Sequence, residues 1–351
     1  MKTTVALIFG GKSTEHEVSL MSTINVLKNL DKDKFEAYLI YINKNGAWFH
    51  ISETEFITQK IVTNESKKLS LILDENKFKF KDSKSTTEID VAFPVLHGPN
   101  GEDGSVQGFL EVSNIAFVGP GILGSSTAMD KDIAKILFKN AGIEIAKYLC
   151  FRESDSIDLK NVFKELGSTV VIKPVNAGSS VGISKAENIS SLEKAIKLAF
   201  EFDKKIIIEE YIDGRELEIA VIGNNEITAS PVGEIVTEFY DYHEKYSSES
   251  RTRLDAPAKN LNKKIIKKLQ ETAIKAFKAL ECEGMSRVDF FLTNDKIIIN
   301  EINTIPGFTN ISMYPKLFEL NGFTQKELIT KLLELAIEIN KNKNKLKNNL
   351  E

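Results

Sequence analysis

The run Arg287-Val288-Asp289-Phe290-Phe291-Leu292-Thr293-Asn294-Asp295-Lys296-Ile297-Ile298-Ile299-Asn300-Glu301-Ile302-Asn303-Thr304-Ile305-Pro306-Gly307 sets two carboxylates, a carboxamide and an arginine on neighbouring apolar stretches ahead of a rigid Pro-Gly turn. Val288 to Leu292 and Ile297 to Ile302 flank the turn-prone Thr293-Asn294-Asp295-Lys296, the pattern of a β-hairpin. Strand side chains alternate between faces, so Arg287 shares a face with Asp289, and Glu301 with Asn303. All four converge only if Asp289 stands opposite Glu301. That requires an odd connection such as Asn294-Asp295-Lys296, because a two-residue loop sends the two pairs to opposite faces. Two carboxylates and an amide oxygen suit a hard cation that also takes phosphate oxygens, so the hairpin reads as a magnesium nucleotide site and zinc is disfavoured. The same residues also fit a plainer reading, edge charges that protect a sheet, with Arg287 as their ion-pair partner.

The surrounding chain has 351 residues, room for two or three domains and a cleft between them. Its 42% hydrophobic and 27% charged residues are those of a globular protein, and a net charge of −4 leaves no basic footprint for nucleic acid. Cys150 and Cys282 lack metal-binding spacing, which points to a reducing compartment without disulfides. The apolar run Val5 to Phe9 is too short for a signal peptide, and no stretch approaches the roughly 20 apolar residues of a membrane helix. A cytoplasmic protein without membrane or nucleic-acid partners is expected.

Val5 to Phe9 reads as a buried strand that ends at Gly10-Gly11-Lys12-Ser13 and leads to a helix over Ser19 to Leu30. Further strands at Phe35 to Ile42 and Val91 to Leu96, the latter followed by a helix over Val106 to Val112, make the N-terminal part a parallel α/β sheet. Asn43 to Asp90 reads as polar and irregular, with weak strands around Trp48 and Leu69 to Leu73. A smaller α+β unit follows, with helices at Asp130 to Ala141 and Ser191 to Phe202 and strands at Val170 to Pro174 and Ile206 to Glu210. Strands at Leu217 to Ile222 and Glu226 to Val232, a helix at Asn262 to Leu280, the hairpin, and a helix at Phe323 to Ile339 complete the chain. Thr237 to Pro257 is long and polar, as active-site lids are.

Lys173-Pro174 precedes Asn176-Ala177-Gly178-Ser179-Ser180-Val181-Gly182, a cation at a strand end followed by small residues whose backbone N–H groups can approach an anion closely. The loop is not a P-loop, and it also reads as an ordinary turn. Ile206 to Ile212 is an apolar strand ending in acids, either a backbone edge for a purine or simply a buried strand with a solvated end. Gly10-Gly11 lacks the dinucleotide fingerprint, which sets a nicotinamide oxidoreductase aside.

In order and residue type these segments resemble the ATP-grasp superfamily, and within it the D-alanine:D-alanine ligases, over nearly the whole chain. The likeness is carried by Phe9 to Ser19, Leu96-His97-Gly98 with Gly101-Glu102-Asp103-Gly104, Met129-Asp130-Lys131, Lys173-Pro174 with Gly178 to Gly182, Tyr240-Asp241-Tyr242 with Lys245-Tyr246, Arg287-Val288-Asp289 and Asn300 to Gly307. It implies an N-terminal parallel α/β domain (1–122) followed by two α+β domains (123–208 and 209–351, with a lid at 237–257) that clamp ATP between them. One D-alanine would be phosphorylated to an acyl phosphate that the amine of a second attacks, for peptidoglycan precursor synthesis.

By family position Lys131, Lys173 and Lys245 hold phosphates, Glu209, Glu210 and Ile212 meet adenine, and Glu216 meets the ribose. Asp289, Glu301 and Asn303 bind two magnesium ions, with manganese as a substitute. Arg287 and the Gly307 N–H stabilise the oxyanion, and Glu15, in a network with Ser179 and Tyr246, pairs with the first substrate's ammonium. Ser312 and the Met313 backbone hold the second carboxylate, with His97 beside the substrates. Plainer alternatives stand for three: Ser179 as a loop hydroxyl, Tyr246 as a lid anchor, His97 as a turn cap. His16, His50 and His243 read as surface residues. Glu210, where many relatives carry lysine, and Ile305, in place of a small residue, depart from the family pattern. The family also suggests a homodimer. A D-alanine:D-lactate or D-alanine:D-serine ligase on the same scaffold, and a non-catalytic nucleotide-binding module, are the rivals, and Lys245-Tyr246 favours the dipeptide.

Overall fold

Val5, Leu7 and Phe9 belong to one core and Ala6 and Ile8 to another, on opposite faces of β1 (Thr3–Gly10), and all five are fully buried. Burial on both faces is what an interior strand of a parallel sheet requires. The computed structural model describes residues 2–73, 78–236, 253–294 and 296–347. The first sheet runs β3 (Trp48–Ile51), β2 (Phe35–Ile42), β1, β7 (Val91–Pro94), β8 (Ala116–Phe117), parallel except for β3. Helices α1 (His16–Asn29) and α3 (Ser105–Val112) lie on its crossovers, and α2 (Glu53–Ile57) starts at a Ser52–Glu55 capping box.

In the polar segment Asn43 to Asp90, the weak strands expected around Trp48 and Leu69 to Leu73 are β3 and β4 (Ser70–Leu73), and β4 joins β5 (Phe78–Lys81) and β6 (Thr86–Glu88), which were not expected, in a three-stranded antiparallel sheet. Its strands are short, and among their described side chains Phe80 is the one buried in the N-terminal core, so hydrophobic alternation has little to register.

Helices α4 (Ile122–Met129) and α5 (Lys131–Asn140) lead into an antiparallel sheet ordered β11 (Ser184–Ala186), β10 (Val170–Pro174), β12 (Lys205–Glu210), β9 (Tyr148–Arg152). Helices α6 (Leu159–Leu166) and α7 (Ile189–Phe200) close its core through Val162, Leu166, Leu192 and Ala195. β12 is interior, paired with β10 on one edge and β9 on the other. Of the two readings of Ile206 to Glu210, the buried strand therefore holds: its backbone edges are spent within the sheet, and Tyr211 N–H also donates to Thr169 O at 3.1 Å.

The last sheet runs β16 (Arg253–Asp255), β15 (Gly233–Val236), β13 (Arg215–Gly223), β17 (Gly284–Thr293), β18 (Lys296–Asn303), with β14 (Ile227–Ala229) also on β13. α8 (Lys263–Ala279) covers Leu217, Ile219, Val288 and Phe290 on one face. On the other, Ala220 and Ile222 join a core that includes Phe308, Tyr314 of α9 (Met313–Glu319), Leu328 and Leu332 of α10 (Gln325–Lys343), and Val5, Leu7 and Phe9 of the first sheet. That continuous core fixes the first sheet against the C-terminal hairpin.

The hairpin pairs Asp289 with Glu301, Val288 with Ile302 and Arg287 with Asn303, as convergence requires, but by a different route from the expected odd loop. Thr293 pairs with Lys296, leaving two residues between them, and the register shifts at Asp289/Phe290, where Phe290 pairs with Ile299. Asn300 is the extra residue of a β-bulge, and it restores the parity that the even loop breaks.

Candidate active site

A row of three carboxylates crosses the C-terminal sheet: Glu218 on β13 stands opposite Asp289 on β17, which stands opposite Glu301 on β18. Like charges directly opposite on neighbouring strands repel, so the row persists only with cations against it. Arg287 supplies one. Its Nε and Nη2 donate to Asp289 Oδ1 and Oδ2 at 2.7 and 2.6 Å, and its Nε lies 3.0 Å from Glu218 Oε1. Burial works against the guanidinium charge, but the Asp289 and Glu218 carboxylates outweigh it and hold the pKa well above the usual arginine value. Asn303 Nδ2 donates to Asp289 Oδ2 at 2.9 Å.

Glu216, two residues before Glu218 on the same face of β13, has its pKa pushed up to about 7, first by burial and then by the Asp289 carboxylate, with Lys173 opposing. Among the described residues no three His, Cys, Asp or Glu side chains are gathered closely enough to cage a metal unaided. That fits magnesium, which takes one or two carboxylates and completes its shell with water and substrate phosphates. Asp289, Glu301 and Asn303 offer the hard oxygen donors such an ion needs.

Three lysines face this row from the central unit. Lys131, at the start of α5, donates to Ala177 O at 2.7 Å and lies 3.7 Å from Glu301. Lys173, at the end of β10, donates to Asn300 Oδ1 at 3.0 Å and lies 2.6 Å from Glu209 Oε2. The bulge thus does a second thing, bringing Asn300 to the lysine while Glu301 keeps its place opposite Asp289. Lys135, which the sequence reading passed over, lies 2.6 Å from Glu209 Oε1. Burial tends to protonate the Glu209 carboxyl, but Lys135 and Lys173 prevail and hold its pKa down to about 2. The Glu209 side chain is thus committed to lysines, and Glu210 Oε1 accepts Lys147 N–H at 2.8 Å. Ile212, just beyond β12, is half-buried.

On the other side of Arg287, a cleft of about 610 Å³ is lined by Glu15, His97, Ser179, Arg287, Asn303, Gly307, Ser312 and Met313 among others. Seven residues drawn from distant sequence positions as substrate or oxyanion groups therefore meet around one space, with Asn303 of the metal set at its edge. The Ser179 hydroxyl donates to Glu15 Oε1, and Ser179 and Ser180 both have positive φ (49° and 58°), so the small-residue loop is bent to deliver that hydroxyl. His97 is buried, 3.4 Å from Ser22 Oγ and 3.8 Å from Glu102 Oε1. Burial raises the Glu102 pKa and Glu15 adds to it, against the pull of His97. Ser312 Oγ accepts Thr309 N–H at 2.9 Å, and Met313 begins α9. Lys245 and Tyr246, and with them 237–252 of the expected lid and His243, lie outside the described residues.

Two further findings revise the reading of the sequence. His16 is buried, its Nδ1 2.7 Å from Gly11 O and its Nε2 3.3 Å from Tyr41 OH, whereas its place in a polar stretch suggested the surface. His50 is half-buried, stacked on Tyr38 and 3.1 Å from Asp82. Glu218 and Lys135 carried signals of their own: a carboxylate within an apolar strand, and a lysine three residues before Phe138 on the apolar stripe of α5. Glu102 stood in a quoted motif without a role.

A parallel α/β unit followed by two mixed units, with lysines facing a carboxylate-bearing hairpin across their junction, defines an ATP-grasp protein. Residues 4–120 match the family profile of the D-ala D-ala ligase N-terminus, and 137–334 that of the C-terminus. The D-alanine–D-alanine ligase of Oceanobacillus iheyensis is 47% identical over 361 residues, covering 99% of this chain and 98% of that protein. Among solved structures, the VanG D-Ala:D-Ser ligase of Enterococcus faecalis superposes with a TM-score of 0.86 at 38% identity, covering 96% of this chain and 100% of its own. The Bacillus anthracis D-alanine–D-alanine ligase complexed with ATP gives 0.75 at 25%, covering 97% and 99%. The chain belongs to the D-alanine–D-alanine ligase family.

Proposed function

We propose that the protein joins two D-alanine molecules at the expense of ATP, through an acyl phosphate, to make D-alanyl-D-alanine for peptidoglycan precursors. The observation that carries this reading is the position of Arg287, between the carboxylate row that faces the lysines and the cleft that holds Glu15 and Ser312. A phosphoryl-transfer site and an amine-attack site thus share one guanidinium.

In the first step, a D-alanine carboxylate oxygen attacks the γ-phosphorus and ADP leaves. Glu15, held by Ser179, pairs with that substrate's ammonium and turns its carboxylate toward the lysines. Lys131, Lys173 and Lys245 neutralise phosphate oxygens, Glu216 takes the ribose, and Glu209 to Ile212 flank the adenine. Magnesium, or manganese, held by Asp289, Glu301 and Asn303 would offset the phosphate charge that develops in transfer. In the second step, the free amine of the other D-alanine attacks the acyl carbon, loses its extra proton, and inorganic phosphate leaves. Arg287 and the Gly307 N–H receive the oxyanion, a contribution of roughly 3 kcal/mol per donor. Ser312 and the Met313 N–H hold the attacking molecule's carboxylate, with His97 at the back of the cleft. Tyr246 and the lid would keep water from the acyl phosphate. The reading includes a cytoplasmic homodimer without nucleic-acid or membrane partners, and light scattering tests the dimer.

Phosphate release from ATP and magnesium with D-alanine alone tests the activity, and absence of release would leave only a nucleotide-binding module. The likeness to a D-Ala:D-Ser ligase at 38% identity favours one second reading, in which D-serine is the preferred second substrate. The same assay with D-serine or D-lactate beside D-alanine, followed by mass analysis of the product, separates them.

A further inference from the structure

α5 turns Ala134, Lys135 and Phe138 into the protein, and Lys135 is only 1% exposed. Enclosing an ammonium costs several kcal/mol unless it is well paired. Lys135 has Glu209 Oε1 at 2.6 Å and the face of the Tyr148 ring, its Nζ 5.6 Å from the centroid. Tyr148 is fixed in turn, donating to Asp132 Oδ1 at 2.9 Å, and Asp132 takes Lys205 at 2.7 Å. Lys135 is thus held in one place by packed neighbours, and it points at a carboxylate whose other oxygen binds Lys173 at 2.6 Å.

The charge balance of this triad differs from that of an ordinary buried pair. Burial pulls the Lys135 pKa down and Glu209 opposes it, and with Lys135 charged two ammonium groups share this one carboxylate, so Glu209 cannot neutralise both; Glu301 and Glu216 also act on Lys173, but from outside the triad. A positive charge left over within the triad is the state that attracts a phosphate oxygen. Were Lys135 neutral, Glu209 and Lys173 would form a closed pair. A nucleotide phosphate would then compete with a full carboxylate for Lys173.

We infer that Lys135 is a positioning residue for nucleotide binding: by occupying one oxygen of Glu209, it keeps Lys173 available to the phosphates of ATP. The inference rests on the reading of this cleft as the ATP site. It gives Glu209 a task beyond adenine contact, that of holding Lys173 in place without neutralising it.

Calorimetric binding of Mg-ADP to the full chain tests it. Lys135→Met is expected to weaken binding about tenfold, with the KM for D-alanine unchanged. The double variant Lys135→Met/Glu209→Gln removes the competing carboxylate as well and should bind Mg-ADP at least about threefold more tightly than Lys135→Met alone, a non-additivity that a purely structural role does not produce. Replacing buried ion pairs by neutral groups of similar size generally preserves folding. Should Lys135→Met alone not fold, Lys135→Gln, which keeps a donor to Glu209 but drops the charge, carries the same comparison. Unchanged Mg-ADP binding in a folded single variant overturns the inference, and so does a double variant as weak as the single. Failure of the unaltered protein to bind Mg-ADP overturns the ATP reading itself, and the inference with it.

Discussion

Asp289 and Glu301 face each other across the C-terminal hairpin only because Asn300 is an extra residue in β18. Without that bulge, the two-residue connection would set Asn300 opposite Asp289 and turn Glu301 toward the core that holds Ile299 and Ile302. The bulge therefore decides whether the site has one carboxylate or two on its hairpin. Glu301→Gln keeps the shape and the register while removing one charge. Phosphate release titrated with magnesium should then need about tenfold more metal for half-maximal rate, since a hard cation depends on ligand charge. An unaltered magnesium requirement would take Glu301 out of the metal site.

The same hairpin marks how far the sequence could be read. Which residues share a face followed from strand alternation, and the pairing of Asp289 with Glu301 followed from asking that the four polar groups converge. The means did not follow, because a bulge is a backbone event that leaves no mark in the side-chain pattern. The run of isoleucines in β12 says only that the strand is buried and leaves a free edge and a two-sided pairing equally open, because its second partner, β9 (Tyr-Leu-Cys-Phe-Arg), is mixed in character. His16 looked exposed because what buries it, the Gly11 carbonyl and Tyr41 of the neighbouring strand, is a product of the fold. Lys135 and Glu218 were visible as polar residues within apolar stripes, but their partners, Glu209 and Arg287, stand far along the chain on strands that only the fold brings alongside.

Gly10 closes β1 with φ +89°, and a Cβ there would lie 2.3 Å from Ile42 O. The backbone cannot shift to make room: Gly10 N–H donates to Ser19 Oγ at 2.9 Å, and Gly11 N–H donates to the same Ile42 carbonyl at 2.8 Å. Gly10→Ala combines a left-handed backbone with a clash in a fully buried strand end, so it should cost about 3 kcal/mol or more. Urea unfolding measures this, and a loss under about 1 kcal/mol would mean that the turn relaxes.

The depressed pKa of Glu209, about 2, predicts an acid-labile ion-pair cluster in the central unit. Its unfolded value is roughly 4.3, so its stabilising contribution is complete above that pH and is lost as pH falls toward 2. Melting temperature should accordingly drop across this window. Glu209→Gln should be less stable at neutral pH, because two enclosed ammonium groups lose the carboxylate they share, and should show a flatter dependence between about pH 4.5 and about pH 2. An equally steep slope in the variant would assign the acid lability to other carboxylates.

Gly307 follows Pro306 in the loop between β18 and α9, and a Cβ on it would stand 3.0 Å from Ser312 Oγ. That hydroxyl has little freedom, since it accepts Thr309 N–H at 2.9 Å and lies 2.8 Å from Thr309 Oγ1. A methyl group at 307 must therefore displace the group proposed to hold the second D-alanine's carboxylate, while leaving the 307 N–H in place for the oxyanion. Gly307→Ala should raise the KM for the second D-alanine about tenfold and leave the maximal rate within about threefold, the pattern of lost ground-state binding. Ser312→Ala removes the hydroxyl and makes room for the methyl, so the double variant should be no worse than Ser312→Ala alone. If the two losses simply add, Gly307 acts through its own backbone and not through Ser312. A fall in maximal rate with KM unchanged would point the same way, placing the methyl against the oxyanion and away from the second carboxylate.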